Sequence, residues 1–323
     1  MYQIDNSSAA TSQPASTAAG TAGFFTDGNP ATATPATIVP AEWLNSVMME
    51  LINVVNAGGV TPTKNQFNNV LTALKNGFSP VVGSMRNLAM SVATAGTSAT
   101  MTADEIVVGA ALGGQKYVLS SFSKTINLAG TPGAGAMDTG SAPTNGYVAL
   151  YAIYNPTTAT AALLAKNATS AIQPNVYGGA NMPPGYTASA LVSVWPTNGS
   201  GQFLVGNQSD RVISTLGATV LTTTTPQTTY TSFTVGVPPN AKTCRGYMAI
   251  SGNTSGAGLS SSLAGSSSGI GSVGQGGTIP TNSASVTNSF PHIPLITPQT
   301  LYYQANVSAG TMTFIVGIYE YTF

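Results

Sequence analysis

Charge is what this chain has least of. Only 6% of its 323 residues are Asp, Glu, Lys or Arg, nine of each sign, so the net charge is zero. An ordinary soluble protein carries about 25%. Phosphate binding needs clustered cations, and the nine here stand singly, so no nucleic-acid partner is expected. A single cysteine, Cys244, excludes an internal disulfide framework and a cysteine metal cluster, and reads as a small buried thiol in a strand. The lone histidine, His292, cannot make a metal site within one chain. Three copies on a threefold axis could, but Pro291-His292-Ile293-Pro294 reads more simply as a rigid surface connection. No apolar run approaches a membrane span, so no membrane insertion is expected. Met1-Tyr2-Gln3-Ile4-Asp5 lacks the basic and apolar regions of a signal peptide, and assembly in a cytoplasm is the expectation.

Gly, Ala, Ser and Thr dominate instead, with Val, Ile and Tyr as the large residues. That mixture suits short strands and many turns, with hydroxyls in place of charges on the wet faces. Charge keeps isolated proteins apart, so such a surface fits a permanent assembly better than a free monomer.

Residues 1–37 form a Ser/Ala/Thr/Pro arm with too little to bury to fold alone. Within it, Asp27 and Asn29 can bond their own backbone, Gly28 can take positive φ, and Pro30 fixes its own. The Ala/Thr run beyond Pro30, which includes Pro35, is expected to lie extended. Residues 38–79 read as a helical hairpin. Trp43, Leu44, Val47, Met48, Leu51, Ile52 and Val55 recur at three and four, ending at Gly58-Gly59. A second helix restarts at Thr61-Pro62-Thr63 with the stripe Phe67, Val70, Leu71 and Leu74. The period then becomes alternating, and two antiparallel, sandwich-like β domains are expected, 80–213 and 214–323. Residues 146–154 carry the strongest strand signal, and 306–311 reads as a short hairpin turn. Between Gly252 and Asn282 lies a long Gly/Ser-rich segment, which reads as a loop with little to anchor it.

Two converging carboxylates would signal a glycosidase. Outside the arm and helices the acids are Asp104-Glu105, Asp138, Asp210 and Glu320, each isolated apart from the adjacent pair, which should point to opposite faces. No Gly-x-Ser-x-Gly elbow supports a Ser-His-acid triad. Gly130-Thr131-Pro132-Gly133-Ala134-Gly135 lacks the lysine of a phosphate loop and reads as a flexible turn. No catalytic set, metal site or cofactor is therefore read from the residues.

Gly23-Phe24-Phe25-Thr26-Asp27-Gly28-Asn29-Pro30, running on through Pro35 and Trp43 to Asn45, resembles the amino-terminal segment of tail fibre proteins of tailed bacteriophages. The likeness continues through Glu50–Val55 and Val60–Lys64, and Tyr177–Val192 is also familiar from such fibres. Nothing beyond about Ser214 carries it. The resemblance implies a non-enzymatic, receptor-binding virion protein, an intertwined homotrimer held to other tail or baseplate proteins by its amino end. Phe24, Phe25, Pro30 and Trp43 are the expected virion-attachment residues. The carboxy-terminal β-sandwich is expected to bind a bacterial surface receptor, glycan or pilus, through the Gly252–Asn282 region and the aromatics Tyr302, Tyr303 and Tyr319. A polysaccharide-degrading tailspike and a purely structural baseplate or collar component are the alternatives.

Overall fold

In the computed structural model, which describes residues 2–77 and 81–323, the chain forms two compact units. One is Met1–Ser79 with Gly113–Lys116, and the other is Pro80–Leu112 with Tyr117–Phe323. The chain is mainly β, 44% strand against 9% helix, with two helices and two antiparallel sheets. That is the class the alternating patterns indicate. The boundary expected at 79/80 lies outside the described residues.

In the first unit the Phe-Phe-Thr-Asp-Gly-Asn-Pro stretch is tighter than an extended arm. Asn29 accepts from the Ala31 amide and starts a 3₁₀ turn at Pro30–Thr32. Asn29 and Thr34 then exchange backbone hydrogen bonds, and the Thr37 amide donates to the Thr26 carbonyl. The segment expected to run straight beyond Pro30 thus closes on itself, because Ala33 takes a left-handed φ of 54°. Gly28 (φ 74°) is required there, since a Cβ would sit 2.6 Å from the Thr34 carbonyl oxygen and the Ala36 nitrogen.

Helix α1 (Ala41–Ala57) and helix α2 (Asn69–Gly77) form the hairpin. They approach closely where Gly58 lies against Ala73, a contact that a Cβ at 58 would fill. Ile52 and Val55 of α1 are buried, yet Trp43, Leu44, Val47 and Val54 of the same helix remain exposed. Helix α2 begins later than its apolar spacing suggests. A turn from Thr63 to Gln66 and a left-handed Asn65 interrupt the chain, which leaves Phe67 outside the helix and almost fully exposed.

Among the described residues sixteen strands follow the hairpin. They are β1 (Met85–Arg86), β2 (Ala89–Val92), β3 (Ser98–Gly109), β4 (Lys116–Asn127), β5 (Tyr147–Asn155), β6 (Thr160–Asn167), β7 (Ala188–Pro196) and β8 (Gly206–Ser209). There follow β9 (Val212–Thr223), β10 (Gln227–Thr234), β11 (Thr243–Gly252), β12 (Gly258–Ala264), β13 (Val273–Thr278), β14 (Ala284–Pro294), β15 (Thr300–Val307) and β16 (Met312–Thr322). The larger sheet runs β14-β11-β16-β9-β8-β2-β3-β7-β5-β6, with β1 and β4 also paired to β3. The smaller runs β10-β15-β12-β13.

Strands β5 and β7 are buried on both faces, which is why their sequences are nearly continuous apolar runs. Tyr151 lies fully inside and donates its hydroxyl to the Pro174 carbonyl at 2.9 Å. By contrast, β11 alternates throughout and β15 as far as Asn306, one face inward and one outward. The Gly130–Gly135 turn is pinned rather than free. The Gly135 amide donates to the Leu163 carbonyl, and Ala136 and Asp138 bond both backbone groups of Ala165. This segment covers the edge of β6, a position that would otherwise invite pairing with another chain.

Three sequence expectations are corrected here. The division at 213/214 falls within β9, whose pairing with β8 and β16 carries one sheet across it. Residues 81–323, apart from 113–116, are therefore one unit. The Gly252–Asn282 segment is not an unstructured loop but holds β12 and β13. Leu259 and Leu263 turn inward and are buried, while Ser260, Ser261 and Ser262 between them pair in register with Gly276, Gln275 and Gly274 of β13. Residues 306–311 do not form a hairpin, because β15 and β16 belong to different sheets. The chain crosses from one sheet to the other, with the Thr311 amide held by the Asn253 side chain at 2.9 Å. Tyr303 of β15 stacks on Phe314 of β16 between the sheets, ring centroids 5.7 Å apart.

Candidate functional site

The residues expected to attach the chain to a partner gather in the first unit. Phe25 packs edge-on against Trp43 with centroids 5.1 Å apart, while Phe24 is 99% exposed and Pro30 is exposed beside it. Thr17 ties the arm to α1 by donating both its amide and its hydroxyl to the Glu42 carboxylate, each at 2.6 Å. Those two bonds hold Glu42 below the usual carboxylate range. Asp5 and Lys64 add an exposed ion pair at 2.6 Å. The arm thus lies on its own hairpin through a few small contacts.

The three tyrosines expected to contact a receptor separate. Tyr303 is buried between Phe233 and Phe314 and packs the core, so it cannot touch a partner without opening the sheets. Tyr302, its neighbour on β15, faces outward and is half-buried. Tyr319 lies on the larger sheet with the Arg245 guanidinium over its ring at 5.7 Å.

Four of the acids outside the arm and helices are tied into the fold, while Glu105 is exposed on β3. Asp104 accepts from the Asn87 amide at 2.6 Å, Asp210 from the Leu88 backbone at 2.9 Å, and Asp138 from the Tyr177 hydroxyl at 2.8 Å. Glu320 is the centre of a row across four strands. It accepts from Ser214 of β9 at 2.9 Å, faces His292 of β14 at 3.0 Å, and pairs with Arg245 of β11 at 3.6 Å. The sequence shows His292 and Glu320 as unrelated, and only the register of β14, β11 and β16 brings them together. In this row the carboxylate stands between serine and histidine. A nucleophilic triad needs the histidine in that place, and here Ser214 donates to the Glu320 carboxylate, so the row does not have the order of a Ser-His-acid triad. Among the described residues no group of three or more His, Cys, Asp or Glu could hold a metal ion, and no helix is long and apolar enough to cross a membrane.

The outward face of the smaller sheet carries a cleft of about 590 Å³, within the range of ligand pockets. Ser260 and Ser262 of β12, Gln304 and Asn306 of β15 and Thr228 of β10 line it, and no lining residue ionises. Gln304 is fixed in place, accepting from Ser262 at 3.3 Å and donating to the Thr228 carbonyl at 2.9 Å. The Asn306 amide and the Ser260 hydroxyl have no protein partner among the described residues. On β13, Gln275 turns inward and donates to the Met248 and Val286 carbonyls, each at 3.3 Å, so the outward positions are Gly274 and Gly276. Composition alone flagged this region as glycine- and serine-rich. The alternation within Gly258–Ala264 was the signal that could have shown a sheet face there.

No protein-family model matches the chain, and no curated protein matches it. Among solved structures, a Cry1Da tryptic core variant from Bacillus thuringiensis is matched at 9% identity and a TM-score of 0.21. The match covers 77% of this chain and spans 56% of that structure's length, and a likeness this slight carries no argument.

Proposed function

We propose that the chain is one subunit of a trimeric tail fibre of a tailed bacteriophage, assembled in the host cytoplasm and carried on the virion. Residues 1–37 and the helical hairpin attach it to other tail or baseplate proteins and to its siblings. The β unit meets the host surface. The observation that carries this reading, beside the resemblance of residues 23–45, is the unused apolar surface of the first unit. Trp43, Leu44 and Val47 stay 39–55% exposed on α1, and Phe24 stands free in an arm held by few contacts. Such surface is stable only where other chains cover it. The engagement of Asp104, Asp138, Asp210 and Glu320 in structural hydrogen bonds favours binding over hydrolysis.

Sedimentation at micromolar concentration should show a trimer, and a folded monomer would sink the reading. Phe24→Ala combined with Phe25→Ala should give virions without fibres while the isolated protein still folds. Full fibre occupancy in that double variant, or release of sugar from host capsule by the purified protein, would count against it.

A further inference from the structure

We propose that the cleft on the smaller sheet is a binding site for an uncharged glycan, with Asn306, Ser260 and Gln304 as its hydrogen-bonding groups. The proposal rests on the tail-fibre reading and gives its receptor contact a place and a chemistry. The open floor is the first argument. Gly274 has no left-handed φ, and a Cβ there would meet only the Ser261 carbonyl at 3.5 Å and Ser262 at 3.7 Å, which are ordinary contacts. Neither turn geometry nor packing demands glycine at that position, and glycine weakens a strand. What its absent side chain does is keep the cleft open. Gly276 differs, since a Cβ there would press on the Leu259 carbonyl at 3.0 Å.

The second argument is the lining. Its free groups are an amide and hydroxyls, which can each donate and accept, and these match a ligand rich in hydroxyls. A charged ligand would find no partner ion among the lining residues and would lose hydration without compensation. The third is the flank. Tyr302 shares the outward face of β15 with Gln304, two residues away along the strand, and is half-buried. Tyr302 lies outside the lining itself, so its ring is available to a ligand that extends along the strand beyond Gln304. The Gln304 amide is already oriented by Ser262 and Thr228, so binding orders little that is not ordered before.

The test uses the full chain on an array of uncharged and acidic bacterial surface polysaccharides, followed by titration of the retained ones. Uncharged spots should be retained. Gly274→Val should abolish retention by filling the floor, and Asn306→Ala should weaken it about tenfold, the loss of one or two hydrogen bonds. Thr234→Ala, on the same sheet but outside the lining, should change nothing. Circular dichroism and melting curves of all three variants should match the parent. Retention of acidic polysaccharides alone, no retention at all, or retention indifferent to Gly274→Val would overturn the proposal. If fibres still occupy virions and adsorb to cells in any of those cases, the tail-fibre reading stands and only the cleft assignment falls.

Discussion

Gly246 and Gly274 lie in different sheets and should respond oppositely to one added methyl. At 246 it would overlap the Gly317 carbonyl oxygen and come within 2.9 Å of the Phe290 ring. Backbone cannot yield there, so Gly246→Ala should cost about 1–3 kcal/mol, read as a lower urea midpoint. Gly274→Ala should stay within about 0.5 kcal/mol of the parent, since its Cβ meets only ordinary contacts, at 3.5 Å and 3.7 Å. Buried phenols set a second residue-scale expectation. Burial pushes Tyr147 and Tyr177 up to about 12 from 10.0, with Asp138 adding to the shift of Tyr177, and holds Tyr321 well above its ordinary value. A raised folded value means the folded chain keeps protons that the unfolded chain has lost. Their contribution is complete below pH 10.0 and disappears as pH climbs through about 12. Cooperative alkaline unfolding in that window, with a late step of tyrosinate absorbance, is expected. A smooth titration of every tyrosine near pH 10 with the fold intact would contradict it. Cys244 is buried and likewise raised to about 12. Its thiol should resist a disulfide reagent at about pH 8 until the chain unfolds, because the thiolate is the reacting form.

At the scale of elements, the β12–β13 hairpin and the arm behave as opposites. Leu259 and Leu263 anchor β12 between the sheets, although the surrounding sequence is nearly all glycine and serine. Leu263→Ala should cost about 2–5 kcal/mol, measured by denaturant unfolding, as expected where a fully buried leucine is truncated. Cutting out Gly256–Gly276 would remove β12 whole and most of β13, so the smaller sheet should not survive. A mild phenotype would show that the hairpin is dispensable to the fold. The arm depends on one aromatic contact, one carboxylate, one exposed ion pair and a weak bond from the Gln3 amide to the Met49 sulfur at 3.7 Å. An edge-on pair such as Phe25–Trp43 contributes about 0.5–1.5 kcal/mol beyond its buried area. Phe25→Ala should therefore raise amide exchange across residues 16–37 towards that of a free peptide and leave the β unit unchanged. Protection that persists in this variant would mean that the polar contacts, Thr17–Glu42 first among them, hold the arm without the aromatic pair.

For the whole molecule, the scarcity of charge and the unused stripe on α1 lead to the same expectation. A chain with nine positive and nine negative side chains relies little on repulsion to stay apart from its copies. On the trimeric reading proposed above, the contacts that bring copies together include Trp43, Leu44 and Val47, which are exposed on one helix. Val47→Asp should therefore shift sedimentation from trimer towards monomer while the β unit keeps its melting temperature. An unchanged trimer would place the assembly contacts elsewhere, along the sheets.

The amino-acid order by itself determined the class of this protein and most of its elements. Hydrophobic spacing in 41–57 is helical wherever its stripe finds cover, and the runs in β5, β7 and β16 are strands on any surface that buries them. Gly28 was legible for the same reason, since only local backbone geometry decides it. The resemblance of residues 23–45 was also a property of order alone. What the sequence could not show were relations between distant segments. Pairing of β9 with both β8 and β16 removed the expected boundary at 213/214, because hydrogen bonds across a ladder ignore sequence distance. Strand register gathered His292, Arg245, Glu320 and Ser214 into one row, and the crossing of β15 to β16 buried Tyr303 while leaving Tyr302 outside. The cleft belongs to this second kind. Ser260, Gly274 and Asn306 stand on three strands, and a composition rich in glycine and serine looks the same whether those residues flank a free loop or line the face of a sheet. Only the ladder that aligns them, with Leu259 and Leu263 drawn inward by the core, turns small polar residues into a surface with a shape.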